Sequence, residues 1–240
     1  MLSFATPIAR RARSTVAVLA TMFVAPLPDD VDESKRQGSA GFTPVVGYWT
    51  DTTAGGAAVV VNGERWSGTT TPADLRKASD RLFGSTVETF LSNGGAAGAF
   101  PYAVSAAAAE FRNGTLRVQF NMIGGKSDQI AGLMFGLRPS GEYFYIRYNT
   151  KDGNVAVWRF ANGERQVLEH GEVHKQIPLG TWHELVVEVR GRQVRGYIAG
   201  DPTISVEHTL DADPAGRVGV WAKRDAITAF RGFTAAGSTP

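Results

Sequence analysis

At 240 residues and 43% hydrophobic content, the chain is long enough for one large domain with a proper core and too apolar to be disordered. It contains no cysteine, which excludes a disulfide framework and a cysteine-type zinc site. Its formal charge of +2 belongs to the N-terminus. Of the 25 Lys and Arg residues three lie in the first 28, which carry no acid, so the remainder sets 22 against 23 Asp and Glu and offers no electrostatic case for nucleic acid.

Residues 1–28 read as a targeting segment. Arg10, Arg11 and Arg13 precede Ser14–Leu27, a run apolar apart from Ser14, Thr15 and Thr21, which is the order of a secretory signal. Val18-Leu19-Ala20 offers a small-residue cleavage site; Ala25 suits less well because Pro26 would follow the cut. A mitochondrial presequence also fits an arginine-rich, acid-free start, as does a ragged N-terminus. The run is shorter than the roughly 20 residues that span a bilayer. The expectation is a secreted or periplasmic protein that meets no membrane beyond its leader. Residues 29–42 form a polar tether.

One domain is expected over residues 43–234. Thr43–Thr50 is a candidate first strand. Ala57–Asn62, the turn dipeptide Asn62-Gly63 and Glu64–Ser67 read as a hairpin. Thr71 can cap a helix, Pro72 suits its first turn, and Leu75, Ala78 and Leu82 recur at helical spacing before Gly84 ends it. Ser92–Ala109, rich in Gly and Ala, reads as a loop with an edge strand near Tyr102–Ser105. From Phe111 onward the chain breaks into short strands: Leu116–Asn121, Tyr143–Tyr148, Val155–Phe160, Glu184–Arg190 and Arg217–Ala222. Turn dipeptides such as Asn113-Gly114 and Asn162-Gly163 separate them. Residues 235–240 read as a disordered tail. The pattern predicts an antiparallel, all-β sandwich or barrel with one short helix.

Alternation also assigns faces. Leu185, Val187 and Val189 should point inward, with Glu184, Glu188 and Arg190 on the opposite face. Trp182 and Trp221 are expected in the core. Tyr143, Tyr145 and Arg147 alternate outward from Phe144, Ile146 and Tyr148. Arg117, Gln119 and Asn121 form a polar stripe opposite Leu116, Val118 and Phe120, and Trp158 alternates with Val155 and Val157. A pyranose has an apolar face and a polar rim, so aromatic platforms beside planar hydrogen-bonding groups suit it. If these stripes share one sheet they make an aromatic-edged groove, with Tyr143, Tyr145, Arg147, Arg117, Gln119 and Trp158 as candidate ligand contacts. An ordinary solvent face of an amphipathic sheet also carries polar stripes.

Several phrases carry a family likeness: Gln129–Phe135, Tyr143–Tyr148, Asn154–Phe160, Leu179–Leu185, Val194–Ile198, Gly216–Trp221 and Phe230–Phe233. In order and spacing they resemble the concanavalin A-like lectin/glucanase jelly roll. The likeness is to bacterial exported domains of the laminin G-like and 3-keto-disaccharide hydrolase-like type. It implies two stacked antiparallel sheets, one concave, with a carbohydrate or glycoconjugate as the usual partner. Catalysis is not implied, since many members of the fold only bind. Two further functions stay open: a glycoside hydrolase-type enzyme, and a structural or protein-binding laminin G-like module.

The chemistry-bearing motifs are sparse. Retaining glycoside hydrolysis needs two carboxylates about 5 Å apart. No Glu-x-Asp-x-x-Glu run is present, and Glu184 and Glu188 lie four apart on one strand, about 13 Å between α-carbons. An enzyme working with a single base beside a ketone would draw on Glu142, Glu188 or Asp225. His183-Glu184 lacks the second histidine of a zinc helix, since Val187 stands there. His170 and His174 have ligand-like spacing in a loop without an evident third ligand. Gly125-Lys126-Ser127 imitates the end of a phosphate loop, but Phe120 stands where the first glycine belongs. No cofactor is expected. Asp211 and Asp213, before Pro214, are the carboxylates that would suit calcium, an ordinary Asx turn being the simpler reading.

Overall fold

The structure is a computed structural model that describes residues 41–53, 57–66, 70–106, 108 and 110–237. The leader, the tether up to residue 40 and residues 238–240 of the tail lie outside the described residues. In chain order the elements are β1 (Phe42–Val46), β2 (Trp49–Thr52), β3 (Ala58–Asn62), α1 (Pro72–Phe83), α2 (Glu88–Ala96), β4 (Tyr102–Ser105), β5 (Gly114–Gly124), β6 (Ile130–Leu137), β7 (Tyr143–Asn149), β8 (Asn154–Ala161), β9 (Glu164–His170), β10 (His183–Arg190), β11 (Gln193–Ile198), β12 (Asp201–Thr209), β13 (Arg217–Trp221) and β14 (Ile227–Ala236).

The strands build a sandwich of two seven-stranded antiparallel sheets. The first has the order β1-β4-β13-β6-β7-β8-β9 and the second β12-β11-β10-β5-β14-β3-β2. Between them lies the main core. Leu116, Val118 and Phe120 of β5 and Leu185, Val187 and Val189 of β10 face Leu133 and Phe135 of β6 and Ile146 and Tyr148 of β7. Every second residue of β5 is buried while its neighbours stay half-exposed, which is the signature of a strand wet on one side.

β6 and β7 behave differently, because all their residues are buried. Their second face is covered too. A separate apolar layer there joins Val46, Tyr102, Met134, Tyr143, Tyr145, Phe160 and Trp221 to Leu75, Ala78 and Leu82 of α1 and Phe90 of α2. The near-continuous apolar run of β6 follows from burial on both faces. Gly132 makes room: a β-carbon there would lie 3.1 Å from the Trp221 ring and 3.4 Å from Arg147 Cβ.

α1 forms as its sequence dictates. Thr71 accepts the Asp74 backbone N–H at 3.2 Å and donates to its carboxylate at 2.6 Å, while Gly84, in the left-handed region, returns its N–H to the Asp80 carbonyl. α2 departs from the expectation of a loop over Ser92–Ala109. It has no side-chain cap and holds Gly94 and Gly95, so local propensity argues against it. Packing stabilises it instead: Phe90 is fully buried, and Gly94 lets Leu75 approach to where a β-carbon would sit 2.7 Å away.

Further expectations are corrected. Tyr102–Ser105 is not an edge strand, since β4 pairs with both β1 and β13. Thr43–Thr50 is not one strand: β1 and β2 belong to opposite sheets, and the chain crosses at Gly47, where a β-carbon would lie 2.5 Å from Pro101. Asn62-Gly63 does not make a hairpin with Glu64–Trp66, and Ser67 lies outside the described residues. β3 pairs with β2 and β14, and Asn62 Oδ1 instead accepts the Arg65 N–H at 3.1 Å. Ala235 and Ala236 are not tail, because β14 carries them opposite Leu116 and Thr115. Trp182 is only half-buried, beneath Arg231, whose guanidinium carbon lies 3.9 Å from the ring centre.

Candidate functional site

β7 presents Tyr143, Tyr145 and Arg147 on its outer face, as alternation predicts, with Phe144, Ile146 and Tyr148 in the inter-sheet core. Antiparallel pairing sets Tyr145 directly opposite Trp158 of β8. The two rings stack at 6.1 Å with their planes 11° apart, and Trp221 of β13 stacks on the other side of Tyr145 at 4.1 Å. Four of the six candidate ligand residues thus lie on one face of the first sheet.

The remaining two do not. Arg117 and Gln119 sit on β5, in the second sheet, and face the opposite side of the molecule. Consecutive strands β5 and β6 are in different sheets, so a single groove across both stripes does not form. Arg117 pairs with Glu184 at 3.1 Å, and Gln119 accepts from Arg231 at 2.8 Å. Nor is the aromatic row an open floor: Tyr143, Tyr145 and Arg147 are buried, and only Trp158 of the four is partly exposed.

Arg147 is held rigidly. It donates to the Asn154 carbonyl at 3.0 Å, to Asn154 Oδ1 at 2.7 Å and to Asp152 at 3.0 Å, while Asn149 also donates to Asp152 at 2.9 Å. Burial lowers its pKa from the usual arginine value, with Asp152 opposing. Burial raises the Tyr145 hydroxyl, with the nearby Arg165 charge opposing. The Tyr145 hydroxyl therefore stays protonated at neutral pH.

β9 supplies what sequence reasoning missed. The Arg165 guanidinium lies 4.6 Å from the Trp158 ring centre and 5.1 Å from that of Phe100, and the exposed His170 meets Trp158 edge-on at 6.1 Å. Glu164–His170 is mostly polar, with Val167 exposed among its charged residues, and no local signal says that Arg165 folds over an aromatic ring. The Trp158 Nε1 is buried with no hydrogen-bond partner. Such a group costs about 1–3 kcal/mol when left unsatisfied. The edge of the first sheet over β7, β8 and β9 therefore offers the partly exposed Trp158 ring with the Arg165 guanidinium across it.

Near Arg147, Asp128 is buried beside Lys223 at 3.0 Å and Arg224 at 3.6 Å. The following Asp225 accepts the backbone N–H groups of Lys126, Ser127 and Asp128 at 2.6, 2.7 and 3.1 Å, and closes the loop between β5 and β6. Burial alone would raise its pKa, but these three donors outweigh it and the carboxyl is held below its ordinary value.

The three carboxylates weighed for catalysis are not brought together. Glu142 immediately precedes β7 and lies 4.0 Å from Arg159. Asp225 lies at the opposite end of the same sheet, by the start of β6. Glu188 is on the outer face of the second sheet, accepting the Tyr197 hydroxyl at 3.2 Å. Of the calcium candidates, Asp211 pairs with Arg159 at 2.9 Å, and Asp213 accepts the Ala215 N–H at 2.8 Å and faces Arg112 at 3.7 Å. Among the described residues no group of three or more His, Asp or Glu side chains is placed to hold a metal ion.

No family model matches the chain, and no curated protein matches it. Solved structures do. The carbohydrate binding module CBM66 from Bacillus subtilis is 17% identical with a TM-score of 0.57, over 81% of this chain and 94% of the module. A Bacillus subtilis protein of unknown function with a galectin-like fold is 14% identical with a TM-score of 0.43, over 56% of this chain and 76% of its own. Chicken galectin 2 is 13% identical with a TM-score of 0.38, over 51% of this chain and 95% of its own. The chain has the fold of the CBM66 module, a sandwich of two seven-stranded antiparallel sheets.

Proposed function

We propose that the protein is an exported, noncatalytic carbohydrate-binding module whose site is the outer edge of the first sheet at β7, β8 and β9. The observation that carries this is Trp158. Its ring stacks on Tyr145, Arg165 lies across it, Arg147 is 6.0 Å away, and its Nε1 has no protein partner. A sugar ring needs an apolar surface for one face and fixed planar donors for its hydroxyl rim, in a place where water competes poorly. Arg147 is fixed by Asp152 and Asn154 before any ligand arrives, so little order remains to be imposed on binding. The printed name of the CBM66 module, a carbohydrate binding module, supports the same reading. Export rests on the arginine-led apolar segment at the N-terminus. A glycan array probed with the purified protein and with its Trp158→Ala and Arg165→Ala variants tests it: specific binding that both substitutions weaken supports the site, and binding untouched by either removes it.

A further inference from the structure

A second groove lies where α1 ends, beside the turn from β6 to β7. Leu82, Phe83, Arg112, Arg138, Asp213 and Arg217 line about 730 Å³ of space there. Arg147 sits near the far end of β7, about 20 Å away at 3.3 Å per residue, so this groove is separate from the proposed glycan face.

The three arginines differ in what they meet. Arg112 lies 2.5 Å from Glu110 and 3.7 Å from Asp213, so its charge is matched from two sides. Arg138 and Arg217 meet no carboxylate among the described residues. Arg138 donates to the backbone carbonyl of Asp213, and Arg217 to that of Leu82. A guanidinium carries five N–H donors in a planar fork, so most of theirs stay uncommitted. Arg217 also lies over Phe83, 5.5 Å from the ring centre, which orients its plane. Its desolvation is opposed by no neighbouring acid. With Glu110 and Asp213 counted, the lining keeps an excess of one positive charge. Leu82, Leu137 and Pro139 give the groove apolar walls.

Two half-buried guanidinium groups on the rim of one groove, each with most of its donors free and no carboxylate partner among the described residues, are suited to one kind of ligand. We propose that this groove binds an oxyanion, a carboxylate or a sulfate or phosphate ester, carried on a body the size of a monosaccharide. The planar fork matches such groups with paired hydrogen bonds, and a neutral ligand would leave the charge uncompensated. The volume lies in the range of small-molecule sites and exceeds what a bare inorganic ion would fill.

Calorimetric titration of the full chain at low salt with glucuronate, glucose 6-sulfate, glucose 6-phosphate and neutral glucose tests the assignment. At least one anionic sugar should bind while glucose does not, and which one binds identifies the anion. Arg138→Gln and Arg217→Gln should each weaken that binding at least tenfold, and the exposed Arg192→Gln should leave it unchanged. Should Arg217→Gln not fold, Arg138→Gln carries the test alone, with its circular dichroism and melting curve as the control for folding. Absence of binding by all three anions, equal binding of glucose, or binding that survives Arg138→Gln would overturn the proposal. Loss of glycan-array binding in the Trp158 variant bears only on the other face.

Discussion

The Arg165 guanidinium lies 4.6 Å from the centre of the Trp158 ring, on the next strand. That pairing sets a delocalised cation and an aromatic face side by side at a sheet edge, the arrangement on which the proposed glycan site rests. Trp158→Ala should lower glycan affinity by about 2 kcal/mol, the scale of an aromatic anchor, or roughly thirtyfold. Trp158→Phe should recover part of it. Isothermal titration of the three proteins with the best array ligand measures both.

Arg147 acts first on the fold. Its guanidinium is buried and its removal strands Asp152 and Asn154. Arg147→Ala should cost about 1–3 kcal/mol of stability, since a charged hydrogen-bonding group leaves partners unsatisfied. Urea unfolding would show the loss as a lower midpoint at an unchanged slope. Arg165→Ala, at a half-exposed position, should leave the midpoint within about 0.5 kcal/mol of wild type.

Phe90 is the anchor of α2 on the covered face of the first sheet, fully buried and edge-on to Phe83 at 5.3 Å. Phe90→Ala should destabilise the protein by about 3–5 kcal/mol through lost burial and a residual cavity. Amide hydrogen exchange should show protection falling most in α2, which has no cap of its own to hold it.

Asp225 makes stability depend on acid pH. Its pKa is held below the unfolded value, so its contribution is complete above the unfolded carboxyl range and is lost as pH falls through the folded one. The wild type should therefore lose stability on acidification toward pH 3, and Asp225→Asn should show a shallower decline over that interval. Chemical unfolding of both proteins at pH 7, 5, 4 and 3 measures the difference.

Strands were legible both where one face is wet and, as in Tyr143–Tyr148, where both faces are buried but residue types alternate. Leu116–Asn121 and Glu184–Arg190 alternate because β5 and β10 each have one wet side. The helix after Thr71 was legible because its cap and stop residues are local. α2 was not, since Phe90 and Gly94 hold it through contacts that propensity does not contain. Period-two alternation names the face of a strand but not its sheet, which is why Arg117 and Tyr145 could be set on one surface and are found on two. The same limit hid the cover over Tyr143 and Tyr145: an outward aromatic reads alike whether water or a helix lies beyond it. Arg165 was silent because it pairs directly with Phe160 and reaches Trp158 only on the diagonal between β8 and β9.

The central claim is that the face around Trp158 recognises carbohydrate. The most direct measurement is a broad glycan array probed with wild type and with a Trp158→Ala, Arg165→Ala double variant of verified fold. The account predicts specific binding by wild type and its loss in the variant. Binding that persists in the variant, or an array silent for wild type, would contradict it.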